Sequence, residues 1–139
     1  MNGDAAVQTV LNALENYPGV RAQSYLLEHA VLLDPVDYAR AHDLGVCISV
    51  QPGIASLGPF SGQADVWGAE KMEHAWDFAA LEDADIMVSL STDWPVWPTT
   101  DVMVNLWTAA VGLGDKALSP ESAIEAYTQN ASTCMNLRE

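Results

Sequence analysis

With 139 residues, half of them apolar, the chain can bury the core of one folded domain, which argues against intrinsic disorder. Asp and Glu total 19 against 5 Lys and Arg, and the formal net charge of −14 repels phosphate backbones and anionic lipid. Nucleic acid and membrane surfaces are therefore excluded as expected partners. Only two lysines, Lys71 and Lys116, stand with three arginines against the carboxylates, so the fold tolerates self-repulsion that salt would screen. Cys47 and Cys134 lie far apart without CxxC spacing, so neither a zinc knuckle nor a disulfide framework is implied and both read as reduced core thiols. No run reaches the ~18 to 20 apolar residues of a membrane span, and MNGDAAV lacks the basic and apolar regions of a secretory signal. The expectation is a soluble, cytoplasmic protein.

Apolar residues at Val7, Val10, Leu11, Leu14 and Tyr17 fall on one helical face, with Asp4 as N-cap and Pro18-Gly19 as the stop. The compact apolar run SYLLEHAVLL suits a strand buried on both faces. Asp34-Pro35 then opens a short helix through His42, as N-cap and first helical residue, ending before Gly45. GVCISV is a second β-rich run, bounded by Gln51-Pro52-Gly53, and a Gly/Pro/Ser loop extends to about Gly68. AEKMEHAWDFAALEDA reads as one amphipathic helix, with Met72, Trp76, Ala79 and Ala80 on one side, leading into the strand DIMVSLS. Thr92-Asp93-Trp94-Pro95 ends that strand. Two helices follow, from about Thr100 to Val111 and from Pro120 to Ala131, the second capped by Ser119.

The order is a helix, three β-α units and an extra helix, so the predicted class is α/β with three parallel strands. Such a sheet leaves two unpaired edges, and a closed barrel of this type needs eight strands. Edge pairing in a homo-oligomer, or a longer polypeptide, is the expected remedy.

Ligands in parallel α/β folds collect at the carboxyl ends of strands. His29 after Glu28, Gln51, and Asp93 within LSTDWPVWP occupy those positions. Imidazole and carboxylate converging there can bind a divalent cation or share proton transfer. The plainer alternatives are a hydrogen-bonded core histidine and an aspartate that caps a turn. His42 and His74 read as boundary or surface residues without a role. Of five tryptophans, four lie between Trp67 and Trp97; Trp94 and Trp97, beside Asp93, can line a small-molecule pocket or simply fill core space.

In order, NGDAAV, LLEHAVLLDP, LGVCISVQP, LSTDWPV and SPESAIEAYTQNAS resemble the second half of the formamide deformylase-like amidohydrolases, the YtcJ-like branch. The resemblance implies a single partial TIM-like (β/α)8 barrel over residues 1–139, running from the fifth helix through βα units six to eight and a following helix. Full-length relatives hydrolyse C–N bonds of amides or related groups with bound metal, here zinc or manganese. In that family the fifth strand ends in a His shortly before a GD pair, the sixth ends in EH, and the eighth supplies the Asp of an SDWP-like motif. Gly3-Asp4, Glu28-His29 and Asp93 stand at those positions, with Thr92 where the family has Ser. His29 is then a metal ligand and Asp93 a ligand and the catalytic base, while Gln51, Trp94 and Trp97 are substrate-binding candidates by their place at the strand ends. The fifth-strand His would fall just ahead of Met1, and the first-strand histidines and fourth-strand ligand have no counterpart here. Metal binding is accordingly expected to be weak, and activity weak or dependent on oligomerisation; a non-catalytic remnant and a binding module are the alternatives.

Overall fold

The computed structural model describes residues 3–17, 19, 25–56 and 63–137. Pro18, expected to stop the first helix, and residues 57–62 of the predicted loop lie outside them. The first helix, α1 (Asp4–Glu15), buries Val7, Leu11 and Leu14, the anticipated face, while Tyr17 is exposed. Its N-cap is Gly3 rather than Asp4. Asp4 is the first helical residue and accepts from the Ala5 amide, placing a negative charge at the positive end of the helix.

Three short parallel strands follow in the order β1 (Tyr25–Glu28), β2 (Val46–Val50) and β3 (Met87–Leu90). The expected run through Leu33 stops at Glu28 because His29 and Ala30 turn to positive φ, 70° and 37°. Between β1 and β2, Asp34 accepts from the Val36 amide to open a 3-10 turn, Pro35–Asp37, which runs into α2 (Tyr38–Asp43) as the Asp-Pro pair implied. Arg40 of α2 ion-pairs with Asp37 and with Glu15 of α1, clamping the two helices together.

After β2 the chain departs from a plain loop. Short helices α3 (Pro52–Ser56) and α4 (Gln63–Trp67) form within it. The single helix expected over 69–84 is two, α5 (Ala69–Met72) and α6 (Phe78–Asp83). Trp76 adopts φ 51° and its amide donates to the Val31 carbonyl at 2.9 Å, while Ala75 bridges Leu32. Tertiary pairing therefore overrides helical periodicity, and Asp77 recaps the chain by accepting from the Ala80 amide. Lys116 Nζ takes up the Met72 and Ala75 carbonyls at 3.1 Å each.

Beyond β3, Asp101 caps α7 (Val102–Trp107), continued by a π turn to Gly112. Ser119 and Pro120 open α8 (Pro120–Glu125) as expected, and a π turn, Ala126–Asn130, leads into α9 (Ala131–Cys134).

Side-chain alternation divides the sheet into two faces. Leu27, Ile48, Val50, Val88 and Leu90 join one core with Val7, Leu11 and Phe78. The other face carries Glu28, Cys47, Ser49 and Ser89. Ser91 N donates to Val50 O, so residues 89 and 91 bond toward β2 and the Val88 carbonyl points to the far edge of β3. Asn130 Nδ2 reaches that carbonyl at 3.0 Å, so the C-terminal segment runs along the edge. It continues to Cys134, which is disulfide-bonded to Cys47 with a Cα–Cα separation of 5.8 Å. The expectation of two reduced core thiols is corrected: distance along the chain hid a contact made when α9 returns to β2.

Candidate active site at the strand ends

The three polar residues expected at the carboxyl ends are all there, on rigid supports. His29 follows β1 directly, and its amide remains bonded to Ser49 O of β2 at 2.8 Å. Asp93 lies three residues past β3 with φ 58°, and its carbonyl accepts from the Trp97 amide at 3.1 Å. Left-handed backbone at non-glycine residues is uncommon, is several-fold enriched in His and Asp, and clusters at functional sites. Two of the candidate residues have it. β2 lies between their strands, which puts the two backbones about 10 Å apart at the usual interstrand spacing.

Gln51 bridges these ends. It is 5% exposed, and its side-chain amide makes three contacts. Oε1 lies 2.8 Å from His29 Nδ1, and Nε2 donates to Ser91 Oγ at 2.8 Å and to Glu28 Oε2 at 3.2 Å. Ser49 Oγ lies 3.5 Å from Ser91 Oγ. A polar relay thus crosses all three strands on the face opposite the helical core. The polar residues at alternate positions, Ser49 with Gln51 and Ser89 with Ser91, were the sequence signal for it.

The two tryptophans beside Asp93 part company. Trp94 is 63% exposed, whereas Trp97 is buried against α3, where a Cβ on Gly53 would lie 2.8 Å from its Nε1. Asn105 of α7, fully buried, accepts from the Gly53 amide at 3.0 Å and so holds the turn just after Gln51. That contact had no sequence signature. His42 lies beside Asp43 on α2, near the start of β2, whereas His74, partly buried between α5 and α6, lines a small cavity with Ala30, Val31 and Val50 close to the carboxyl ends of β1 and β2.

His29 and Asp93 have the donor chemistry for a divalent cation, but the donor count falls short. Among the described residues no group of three or more His, Cys, Asp or Glu is placed to hold a metal ion, and three protein ligands are usual at catalytic zinc. The described residues alone do not build a complete metal site. Nor, among the described residues, is any helix long and apolar enough to cross a membrane.

The chain is 30% identical, over 92% of its length, to the N-substituted formamide deformylase of Arthrobacter pascens, covering 25% of that protein. It is 28% identical, over 73% of its length, to the YtcJ amidohydrolase of Bacillus subtilis, covering 19% of it. Among solved structures, a metal-dependent hydrolase from Pyrococcus furiosus superposes with a TM-score of 0.80 at 27% identity, over 97% of this chain and 28% of that one. Another from Pyrococcus horikoshii gives 0.74 at 25% identity, over 96% of this chain and 28% of its own. The chain thus spans about a quarter of the length of these relatives. With three parallel strands presenting His29, Gln51 and Asp93 at one end, and with residues 1–139 all matching the family's profile, the chain belongs to the amidohydrolase family.

Proposed function

We propose that this chain carries the last three strand ends of a hydrolase acting on C–N bonds of small amides, or on related esters, within a partial TIM-like (β/α)8 barrel. The observation that carries the reading is the placement of His29 and Asp93, both with left-handed backbone, at the carboxyl ends on either side of the central strand of one parallel sheet. In this proposal Asp93 accepts the proton of the attacking water, and His29 supplies a nitrogen donor to a divalent metal, zinc or manganese. Bound there, the metal would lower the pKa of a water molecule and polarise the substrate carbonyl. Trp94 and Trp97 flank the entrance, the exposed Trp94 offering apolar surface to a substrate and the buried Trp97 bracing the loop.

The missing ligands must come from outside the described residues, and we propose a second copy as one source. Parallel pairing of the β1 edge of one copy with the β3 edge of another would bring a second set of strand ends alongside the first, and it requires Asn130 to give up the Val88 carbonyl. A second reading, a folded remnant without turnover, draws on the absence of a three-ligand cluster among the described residues. A cytoplasmic location belongs to the proposal too, and the Cys47–Cys134 disulfide stands against it, since the thiol pool of that compartment reduces such bonds.

The deciding experiment measures hydrolysis of an N-substituted formamide across a protein dilution series with added zinc or manganese, beside size-exclusion light scattering. Turnover that needs metal, rises more steeply than protein concentration and disappears in His29→Ala and Asp93→Ala is the expected result. A chain that binds no metal and turns over nothing even as an oligomer is the remnant.

A further inference from the structure

The hydrogen-bonding capacities around Gln51 determine more than a contact. Glu28 Oε2 accepts from the Gln51 side chain, and a carboxylate oxygen only accepts, so the amide atom that faces it is the NH2 group. The amide oxygen is then the atom facing His29 Nδ1 at 2.8 Å, and an oxygen there requires a proton on Nδ1. Ser91, the other partner of Nε2, can donate or accept and so cannot decide the direction of the amide. Direction passes from Glu28 through Gln51 to the imidazole.

We propose that Gln51 is a positioning residue that locks neutral His29 in the Nδ1–H tautomer, leaving the Nε2 lone pair bare at the strand ends. This deepens the metal-ligand reading of His29 and rests on it for its purpose, though the tautomer itself stands on the hydrogen-bond network alone. The ring nitrogen available as ligand is set by the bond the other nitrogen makes, and such supporting partners commonly change metal affinity by about 10- to 100-fold. Burial at 5% exposure and two further hydrogen bonds keep Gln51 from turning its amide elsewhere.

The test is long-range nitrogen–proton NMR of the imidazole rings in the intact chain, which has only three histidines, at a pH where they are neutral. The wild type and Ser91→Ala are expected to show His29 protonated on Nδ1 only. In Gln51→Leu and in Glu28→Gln, where the amide is free to reverse, both tautomers should appear. Glu28 is exposed, so Glu28→Gln carries the comparison even if Gln51→Leu fails to fold. A proton on Nε2 in the wild type, or one unchanged tautomer in Glu28→Gln and every other folded variant, overturns the proposal. Zinc is then added: movement of the His29 Nε2 signal supports the metal reading, and a locked ring that ignores zinc sinks that reading while upholding the role of Gln51.

Discussion

Asn105→Ala should destabilise the domain and loosen the strand-end site together. The Asn105 side chain is fully buried, and its Oδ1 is the acceptor for the Gly53 amide, two residues beyond Gln51. Truncation takes the Asn105 acceptor away from that N–H, a cost of about 1–3 kcal/mol. Asn105 Nδ2 has no hydrogen-bond partner among the described residues, so its removal takes away no compensating bond. The loss of about 2 kcal/mol, divided by an m-value of roughly 2 kcal/mol/M, lowers the urea midpoint by about 1 M. Asn105→Asp keeps the acceptor but buries a charge, and it should recover stability as the pH falls and the carboxyl protonates. Urea unfolding followed by tryptophan fluorescence measures both, with Trp97 packed beside Gly53 as a local reporter. A midpoint for Asn105→Ala within about 0.2 M of wild type would refute the assignment of this bond as the brace of the turn.

Three further outcomes follow from a covalent bond, a charge contact and a buried hydroxyl. Cys134→Ser opens a loop of sequence separation 87, for which the chain-entropy relation gives a loss of about 4–5 kcal/mol. A reducing agent should reproduce that shift in the wild type and do nothing to the variant; equal melting of oxidised and reduced wild type would contradict it. The Lys71 ammonium holds the Asp4 carboxyl below its usual range, so this pair adds stability above the ordinary carboxylate pKa that is lost as the pH falls through the lowered one. Lys71→Met should flatten the acid limb of a stability-versus-pH curve, and an unchanged limb would deny the pair any role. At the alkaline end, burial, with Asp77 and Asp34 nearby, pushes the Tyr38 hydroxyl up to about 12. Stability present below the ordinary tyrosine value is therefore lost as the pH rises through that raised one, and Tyr38→Phe removes this loss from the measured curve.

How far the sequence reveals this molecule depends on the range of the forces involved. Signals that act within a few residues were legible: Asp34-Pro35 and Ser119-Pro120 open the helical turns they announce, and apolar runs form the three parallel strands. Features imposed from a distance were not. Val31 and Leu32 break the periodic segment at Ala75 and Trp76 by taking its backbone into a bridge. Cys134 meets Cys47 only because α9 returns to the middle strand. His29, Gln51 and Asp93 were each legible as strand-end residues, since a parallel sheet exposes its carboxyl ends. Their division of labour was not, because it depends on which strand neighbours which.

Strand order is what gives Gln51 its place. β2 is the central strand, bonded on both sides, so a side chain at its end is held by two ladders rather than one. The residues it contacts come from the outer strands, Glu28 and His29 from β1 and Ser91 from β3, and each ladder fixes one side of the relay. His29 itself sits where β1 leaves the sheet with left-handed backbone, a position with few restraints of its own beyond the bond to Ser49 O. The proposed ligand role of His29 needs a ring oriented by something more rigid than its own backbone, and Gln51 on the middle strand contacts that ring at 2.8 Å. On the reading proposed above, in which a second copy supplies the missing donors, an incoming donor would meet a ring already held in one tautomer, and that would reduce the ordering that assembly of a shared site must supply.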